Sequence, residues 1–263
     1  MFRGLFRVPA SRMALGWQLR AALFVAVTEA RMVESDWRES DDREVMAHRV
    51  ASHVEELIRS AIAARGSATL ALAGGKTPVP AFRALARARL DWPAVTLLPT
   101  DDRLVAADDP LSNFGLIRGC FNGAGATVMA LVDSADRDPV EAGDRADARL
   151  RALDWPLDLV WLGIGEDGHT ASILPGPDFE TALTTSRRAC GVVPDPLPKE
   201  APVARVTLSR AALLSTKGLI VTFTGARKRE IIERAIAEGP QASTAIGRIL
   251  ADSAIQPVLF WSP

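Results

Sequence analysis

Residues 158–176 read DLVWLGIGEDGHTASILPG. The apolar run 159–162 is too short for a helix and is ended by Gly163, so it reads as a buried strand. The chain then breaks at Gly163, Gly165 and Gly168 around the acids Glu166 and Asp167, and delivers His169 directly afterwards. Of the three histidines in the chain, this one stands where a strand ends, which is where an open α/β sheet binds its ligands. The plain alternative is a glycine-rich turn with a solvent-facing histidine. It accounts for Gly163 and Gly165, but not for a histidine, two carboxylates and the following Thr170, Ser172, Pro175 and Gly176 together.

Working outward, the same strand-then-polar-loop grammar recurs. A short apolar strand at 69–73 runs into Gly74-Gly75-Lys76-Thr77-Pro78 and a helix over 78–89, with Thr77 suited to the N-cap and Pro78 to N1. A strand at 95–99 leads into the loop Thr100-Asp101-Asp102-Arg103. Ser112 then N-caps a short helix from Asn113 through 120, after a turn at Asp108-Asp109-Pro110. A strand at 127–131 and a helix over 136–153 precede the opening stretch. Beyond it the chain is irregular to about 188, and Pro194, Pro196 and Pro198 mark a loop. A strand at 204–208 carries Arg205 near its start and is followed by a short helix. A strand at 219–224 ends at Gly225 and enters a helix over 226–238 with Lys228 in its first turn; a helix over 242–251 and a strand at 258–261 close the chain. At the front, Val45, Val50, Val54, Leu57, Ile58 and Ile62 recur at helical spacing from about 43 until Gly66. His48 and His53 lie on that helix as surface or boundary residues. Strands alternating with helices predict an α/β fold, a mainly parallel sheet with helices on both faces in a Rossmann-like three-layer sandwich.

The totals exclude several functions. A net charge of -1 over 263 residues, without a basic stripe, gives no footprint for nucleic acid. No run approaches the ~20 apolar residues of a membrane span. Cys120 and Cys190 are far apart without metal-ligand spacing, so they read as buried free thiols in a reducing cytoplasm. Residues 1–31 carry Arg3, Arg7, Arg12 and Arg20 before their first acid, Glu29. They read as an N-terminal extension, disordered or upstream of a true start at Met32, with a transit peptide as the weaker alternative because no small-residue cleavage pattern is clear. Residues 32–263 read as a single catalytic α/β domain. Oligomeric state is not legible.

Four polar loops follow strands, at 74–78, 101–103, 163–169 and 225–228, and in a parallel sheet those ends share one edge. Glycines let backbone N–H groups approach a ligand, and helix N-termini favour anions. Lys76, Arg103, Arg205 and Lys228 add charge, and His169 is the one titratable base, with carboxylates able to orient it. The first loop lacks the P-loop spacing, no serine sits in a G-x-S-x-G elbow, and no cluster resembles a metal site. The inventory suits water attack on, or proton transfer within, a phosphorylated small molecule, without covalent catalysis.

Five segments together resemble the 6-phosphogluconolactonases of the glucosamine-6-phosphate isomerase/6-phosphogluconolactonase family: 73–78 (AGGKTP), Asp101-Asp102-Arg103 with Ser112-Asn113, 163–176 (GIGEDGHTASILPG), 205–208 (RVTL), and Gly225 with Lys228. The resemblance runs from the glycine loop to the C-terminus and implies hydrolysis of 6-phosphoglucono-δ-lactone to 6-phosphogluconate without metal or cofactor. Asp102 stands where the family often has Glu, and Lys76 where Ser or Arg is frequent. The implied roles are His169 as general base for water, Asp167 or Asp101 orienting the imidazole or holding sugar hydroxyls, and Arg103 on the oxyanion or the phosphate. Gly74, Gly75, Lys76, Thr77, Arg205 and Lys228 form the implied phosphate site. A sugar-6-phosphate deaminase or isomerase on the same fold is the alternative, but such enzymes resemble GHIAFNEPG where this chain has GHTASILPG at 168–176. A non-catalytic sugar-phosphate sensor would carry a helix-turn-helix, whose pattern residues 1–31 lack.

Overall fold

Strand β6 (Leu159–Leu162), the run that opens the decisive stretch, is buried at all four positions. Its alternate side chains enter two separate cores, Leu159 and Trp161 on one face and Val160 and Leu162 on the other, as the period of two in a strand dictates. Trp161 is the largest fully buried side chain. It stacks edge-on against Phe82 at 4.9 Å between centroids, and its indole N–H donates to Thr222 Oγ1 at 2.9 Å, which satisfies its one polar atom.

The computed structural model describes residues 35–133 and 136–263; the extension expected over 1–31 lies outside the described residues. The element order begins β1 (Asp36–Glu39), α1 (Arg43–Arg65), β2 (Ala68–Leu72), α2 (Val79–Leu85), β3 (Val95–Pro99), β4 (Asp101–Arg103), α3 (Asn113–Phe121), β5 (Thr127–Val128) and α4 (Pro139–Leu150). After β6 follow α5 (Phe179–Thr184), β7 (Ala189–Val192), β8 (Arg205–Leu208), α6 (Arg210–Leu214), β9 (Leu219–Thr224), α7 (Ala226–Glu238), α8 (Ala245–Asp252) and β10 (Val258–Ser262). Seven strands form one parallel sheet in the order β1-β10-β9-β6-β2-β3-β5. Helices α1, α2 and α3 pack on one face and α4 to α8 on the other, giving the expected three layers.

The chain builds outward from β2 to β3 and β5, then returns to the other side of β2 with β6 and continues to β9 and β10. The order therefore reverses between β2 and β6, and the loops leaving those two strands flank a crevice of the kind that binds ligands.

Several elements differ from the sequence expectation. Asp101-Arg103 is not a loop of the parallel sheet. It is an edge strand of a second, antiparallel sheet, β4-β8-β7, in which Arg103 pairs directly with Arg205. Three charged residues in a row carry no alternation, so this strand has no signature. The helix expected over 78–89 is only Val79–Leu85: Pro78 is its N-cap and Thr77 makes no capping bond, while beyond Leu85 the chain tightens into turns in which Arg87 N–H donates to Ala84 O and Ala88 N–H to Leu85 O. The strand expected over 127–131 is two residues long. Asp138 caps α4, accepting from Glu141 N at 2.9 Å with Pro139 behind it, so that helix starts later than 136; it ends before 153 because Ala152 N–H and Leu153 N–H turn to Arg149 O and Leu150 O. Thr244 caps α8, which begins three residues after the expected 242. Strands β1 and β7 and helix α5 were not anticipated. Cys190 is buried as expected, but Cys120 is half-buried; both are free thiols.

Candidate active site

A cleft of about 400 Å³ opens at the β2/β6 reversal. Its wall takes Gly74, Gly75, Lys76 and Thr77 from the loop after β2, Asp101 and Arg103 from β4, His169 from the loop after β6, Arg205 from β8 and Lys228 from α7. Every site residue expected from the sequence thus meets here except Asp167, which stands behind His169. The second sheet brings β4 and β8 to the crevice, so convergence does not require all four loops to leave one parallel sheet.

The loop after β6 is shaped around the imidazole. Gly165 N–H donates to His169 O at 2.9 Å and Gly168 N–H to Gly165 O at 3.1 Å, folding the segment back on itself. A Cβ on Gly165 would lie 2.2 Å from His169 Cε1 and Nδ1, so the ring needs glycine beneath it. Asp167 Oδ1 accepts from the His169 backbone N–H at 3.1 Å and pairs with ring Nδ1 at 2.5 Å. Facing a carboxylate, Nδ1 is the ring nitrogen that keeps a proton in the neutral imidazole, and Nε2 is then the lone-pair atom of a ring that lines the cleft. Burial alone would raise Asp167, but the hydrogen bond and charge of His169 outweigh it and hold the carboxyl at about 2. The other acid of the pair, Glu166, is exposed and faces Arg227 at 3.6 Å.

Asp101 does not orient the imidazole. Its Oδ2 accepts from Ser172 Oγ at 2.5 Å and Thr100 Oγ1 lies 3.4 Å from its Oδ1, which ties β4 to the segment after His169. Between the anchored Thr170, whose Oγ1 donates to Gly163 O at 2.7 Å, and Ser172, the residue Ala171 is forced to φ 49°. Asp102 is structural. Buried under α3, it accepts from the backbone N–H of Asn113 (2.7 Å), Phe114 (3.1 Å) and Arg103 (2.9 Å). Burial nevertheless raises its carboxyl to about 6.

The cationic side of the cleft is under-compensated. Arg205 is 4% exposed, and its contacts are neutral and long, Ser172 Oγ at 3.4 Å and Ala201 O at 3.3 Å. Burial pushes its pKa down, opposed by Asp101 and assisted by Arg103. The Nε atoms of Arg103 and Arg205 are both buried without a hydrogen-bond partner among the described residues. Like charges directly opposite each other on paired strands repel, so the Arg103–Arg205 pair is an arrangement that an anion would relieve. Burial likewise lowers Lys228, with Glu166 opposing. Two further wall residues, Glu200 and Thr222, lie outside the expected motifs and were missed. Glu200 sits in the proline-rich loop before β8, where nothing in the sequence marks it.

Comparison with known proteins gives a consistent result. The family described as glucosamine-6-phosphate isomerases/6-phosphogluconolactonase matches residues 41–256. The 6-phosphogluconolactonase of Mesorhizobium japonicum is 34% identical over 231 residues, covering 87% of this chain and 95% of that protein. That of Rhizobium meliloti is 35% identical over 223 residues, covering 83% and 94%. The crystal structure of a 6-phosphogluconolactonase from Shewanella baltica is similar with a TM-score of 0.80 at 30% identity, covering 88% of this chain and 99% of that one.

Proposed function

Because the chain belongs to the glucosamine-6-phosphate isomerase/6-phosphogluconolactonase family, we infer that it hydrolyses 6-phospho-D-glucono-1,5-lactone to 6-phospho-D-gluconate, step 2 of the oxidative pentose phosphate pathway. It is a lactone hydrolase, a carboxylic ester hydrolase of carbohydrate metabolism. The observation that carries the reading is the Asp167–His169 pair on the wall of a cleft lined by four cations. Residues 32–263 act as one catalytic domain, which we place in the cytoplasm; among the described residues no helix is long and apolar enough to cross a membrane.

In this reading His169 Nε2 takes a proton from water as the water oxygen bonds to the lactone carbonyl carbon. The tetrahedral intermediate then breaks its bond to the ring oxygen, which leaves with the proton returned by the imidazolium. Asp167 holds the ring in the reactive tautomer and stabilises the imidazolium, as a carboxylate behind a catalytic histidine does. A positioned base contributes roughly 10²–10⁴ in rate. The phosphate lies against Lys76, Thr77, Arg205 and Lys228, with Gly74 and Gly75 allowing close approach. Arg103, opposite Arg205, belongs to the phosphate rather than to the carbonyl oxygen. Since Thr77 does not cap α2, its hydroxyl is available to the ligand. The scheme uses neither metal nor cofactor.

The test compares glucono-1,5-lactone with its 6-phosphate, each corrected for spontaneous opening. The phosphorylated lactone is expected to be the better substrate by about 10²-fold or more in kcat/KM, since several charge-assisted hydrogen bonds to phosphate are at stake. Lys228→Ala should raise KM for it. Equal kcat/KM for the two lactones would contradict the phosphate site.

A further inference from the structure

Asn113 is 2% exposed, and its amide touches three parts of the cleft wall. Nδ2 donates to the Asp101 carbonyl at 2.7 Å, and Oδ1 accepts from Arg103 Nη1. Chemistry fixes that orientation, because a carbonyl requires the amide N–H and a guanidinium requires the oxygen. The third contact is the glycine loop. A Cβ on Gly74 would lie 2.0 Å from Oδ1, 2.2 Å from Cγ and 2.3 Å from Nδ2 of Asn113, and these are its three nearest atoms. Gly74 does not have positive φ, so no left-handed backbone demands glycine there. Glycine is needed at 74 because the Asn113 amide occupies the side-chain space.

Asn113 is itself held rigidly. Its N–H donates to Asp102 Oδ1 at 2.7 Å, and Ser112 Oγ caps the same helix by accepting from Gly115 N at 3.0 Å. Arg103, by contrast, depends on it. Apart from Leu111 O at 3.1 Å, Asn113 Oδ1 is the acceptor that restrains a guanidinium set opposite Arg205, where like-charge repulsion would otherwise drive it away.

We propose that Asn113 is a positioning residue for phosphate recognition: its amide fixes Arg103 and the Gly74 loop at one separation, so that Lys76 and Thr77 close on the same phosphate as Arg103 and Arg205. The role rests on the phosphate assignment made under the proposed function. It explains why a buried asparagine at the start of α3, behind the residues that line the cleft, is joined to both sides of the site.

The test measures KM for the phosphorylated lactone and, by calorimetry, the Kd of 6-phosphogluconate. A displacement of about 1 Å in a binding group is felt at up to about 10²-fold. Asn113→Ala is therefore expected to raise both constants by about 10- to 100-fold, with kcat much less affected. Gly74→Ala should do the same, because its Cβ evicts the amide; it also tests the proposal should Asn113→Ala fail to fold. In an Asn113→Ala background, Gly74→Ala should add little, and in an Arg103→Met background Asn113→Ala should cost clearly less than in wild type, because only the Gly74 loop is then left to shift. Independent, multiplying effects in both cycles would overturn the proposal, as would unchanged KM and Kd in both single variants. Calorimetry needs no turnover, so a wild type that binds 6-phosphogluconate but opens no lactone contradicts the proposed function and leaves the positioning role standing. A wild type that does not bind 6-phosphogluconate overturns both.

Discussion

One carboxylate oxygen does most of the arranging in the reactive part of the cleft: Asp167 Oδ1 takes both the backbone N–H and ring Nδ1 of His169. Asp167→Asn presents that ring with an amide that cannot stabilise the imidazolium, and it frees the choice of tautomer. It is expected to lower kcat by about 10²–10⁴ while KM moves little, measured by steady-state kinetics at neutral pH. The carboxyl titrates at about 2, below its ordinary value, so its contribution is present above about pH 4 and lost only as pH falls through about 2. Any loss of activity between pH 4 and 7 therefore belongs to another group. Ala171 gives a second check. At φ 49° a β-carbon is strained, so Ala171→Gly should stabilise the protein by about 1 kcal/mol in urea unfolding, less the entropy glycine gives the unfolded chain. At this scale the sequence was half legible. His169 stood out because it follows a buried strand and three glycines, at the end of the sheet where ligands bind. Which acid would orient it was open, since Asp167 and Asp101 were both near strand ends. The answer depends on a fold-back through Gly165 and Gly168 that no residue type announces.

Elements were legible where apolar periodicity was strong and hidden where polar residues served local geometry. β3, β6, β9 and α7 have the bounds the pattern implied, and α1 ends at Gly66 with φ 78°. β4 was unreadable because its burial has a different cause: Asp102 is inside to receive three backbone N–H groups, and Asp101 to receive Ser172. That arrangement carries a measurable cost. With Asp102 raised to about 6 against about 3.9 in an unfolded chain, the folded state holds a proton that the unfolded state has released between those values. The Asp102 contribution therefore lowers stability as pH rises from about 4 to 6 and is level above, a change of the order of 3 kcal/mol. Asp102→Asn should flatten the unfolding free energy over that interval relative to wild type, as read by urea titrations at several pH values. A variant with the wild-type slope would show that Asp102 titrates normally.

At the scale of the molecule, the site follows from where strand order reverses and from a second sheet that the strand count alone does not suggest. The net charge of -1 hides a cleft with four cations on its wall, because acids elsewhere in the chain balance them. The three-layer frame could be read from alternating strands and helices; the joining of β4 to β8 could not, since it pairs segments about a hundred residues apart. That pairing sets Arg103 opposite Arg205 and so makes a cationic wall out of two unremarkable strands. In the proposed reaction this wall holds the phosphate while His169 activates water. The decisive measurement follows 6-phosphogluconate formation from freshly made lactone with wild type and His169→Ala, each corrected for spontaneous opening. Wild type is expected to hydrolyse the lactone fast, and the variant to lose about 10²–10⁴ in kcat with 6-phosphogluconate still bound. A variant that turns over at the wild-type rate would contradict the role of His169 and with it the proposed chemistry.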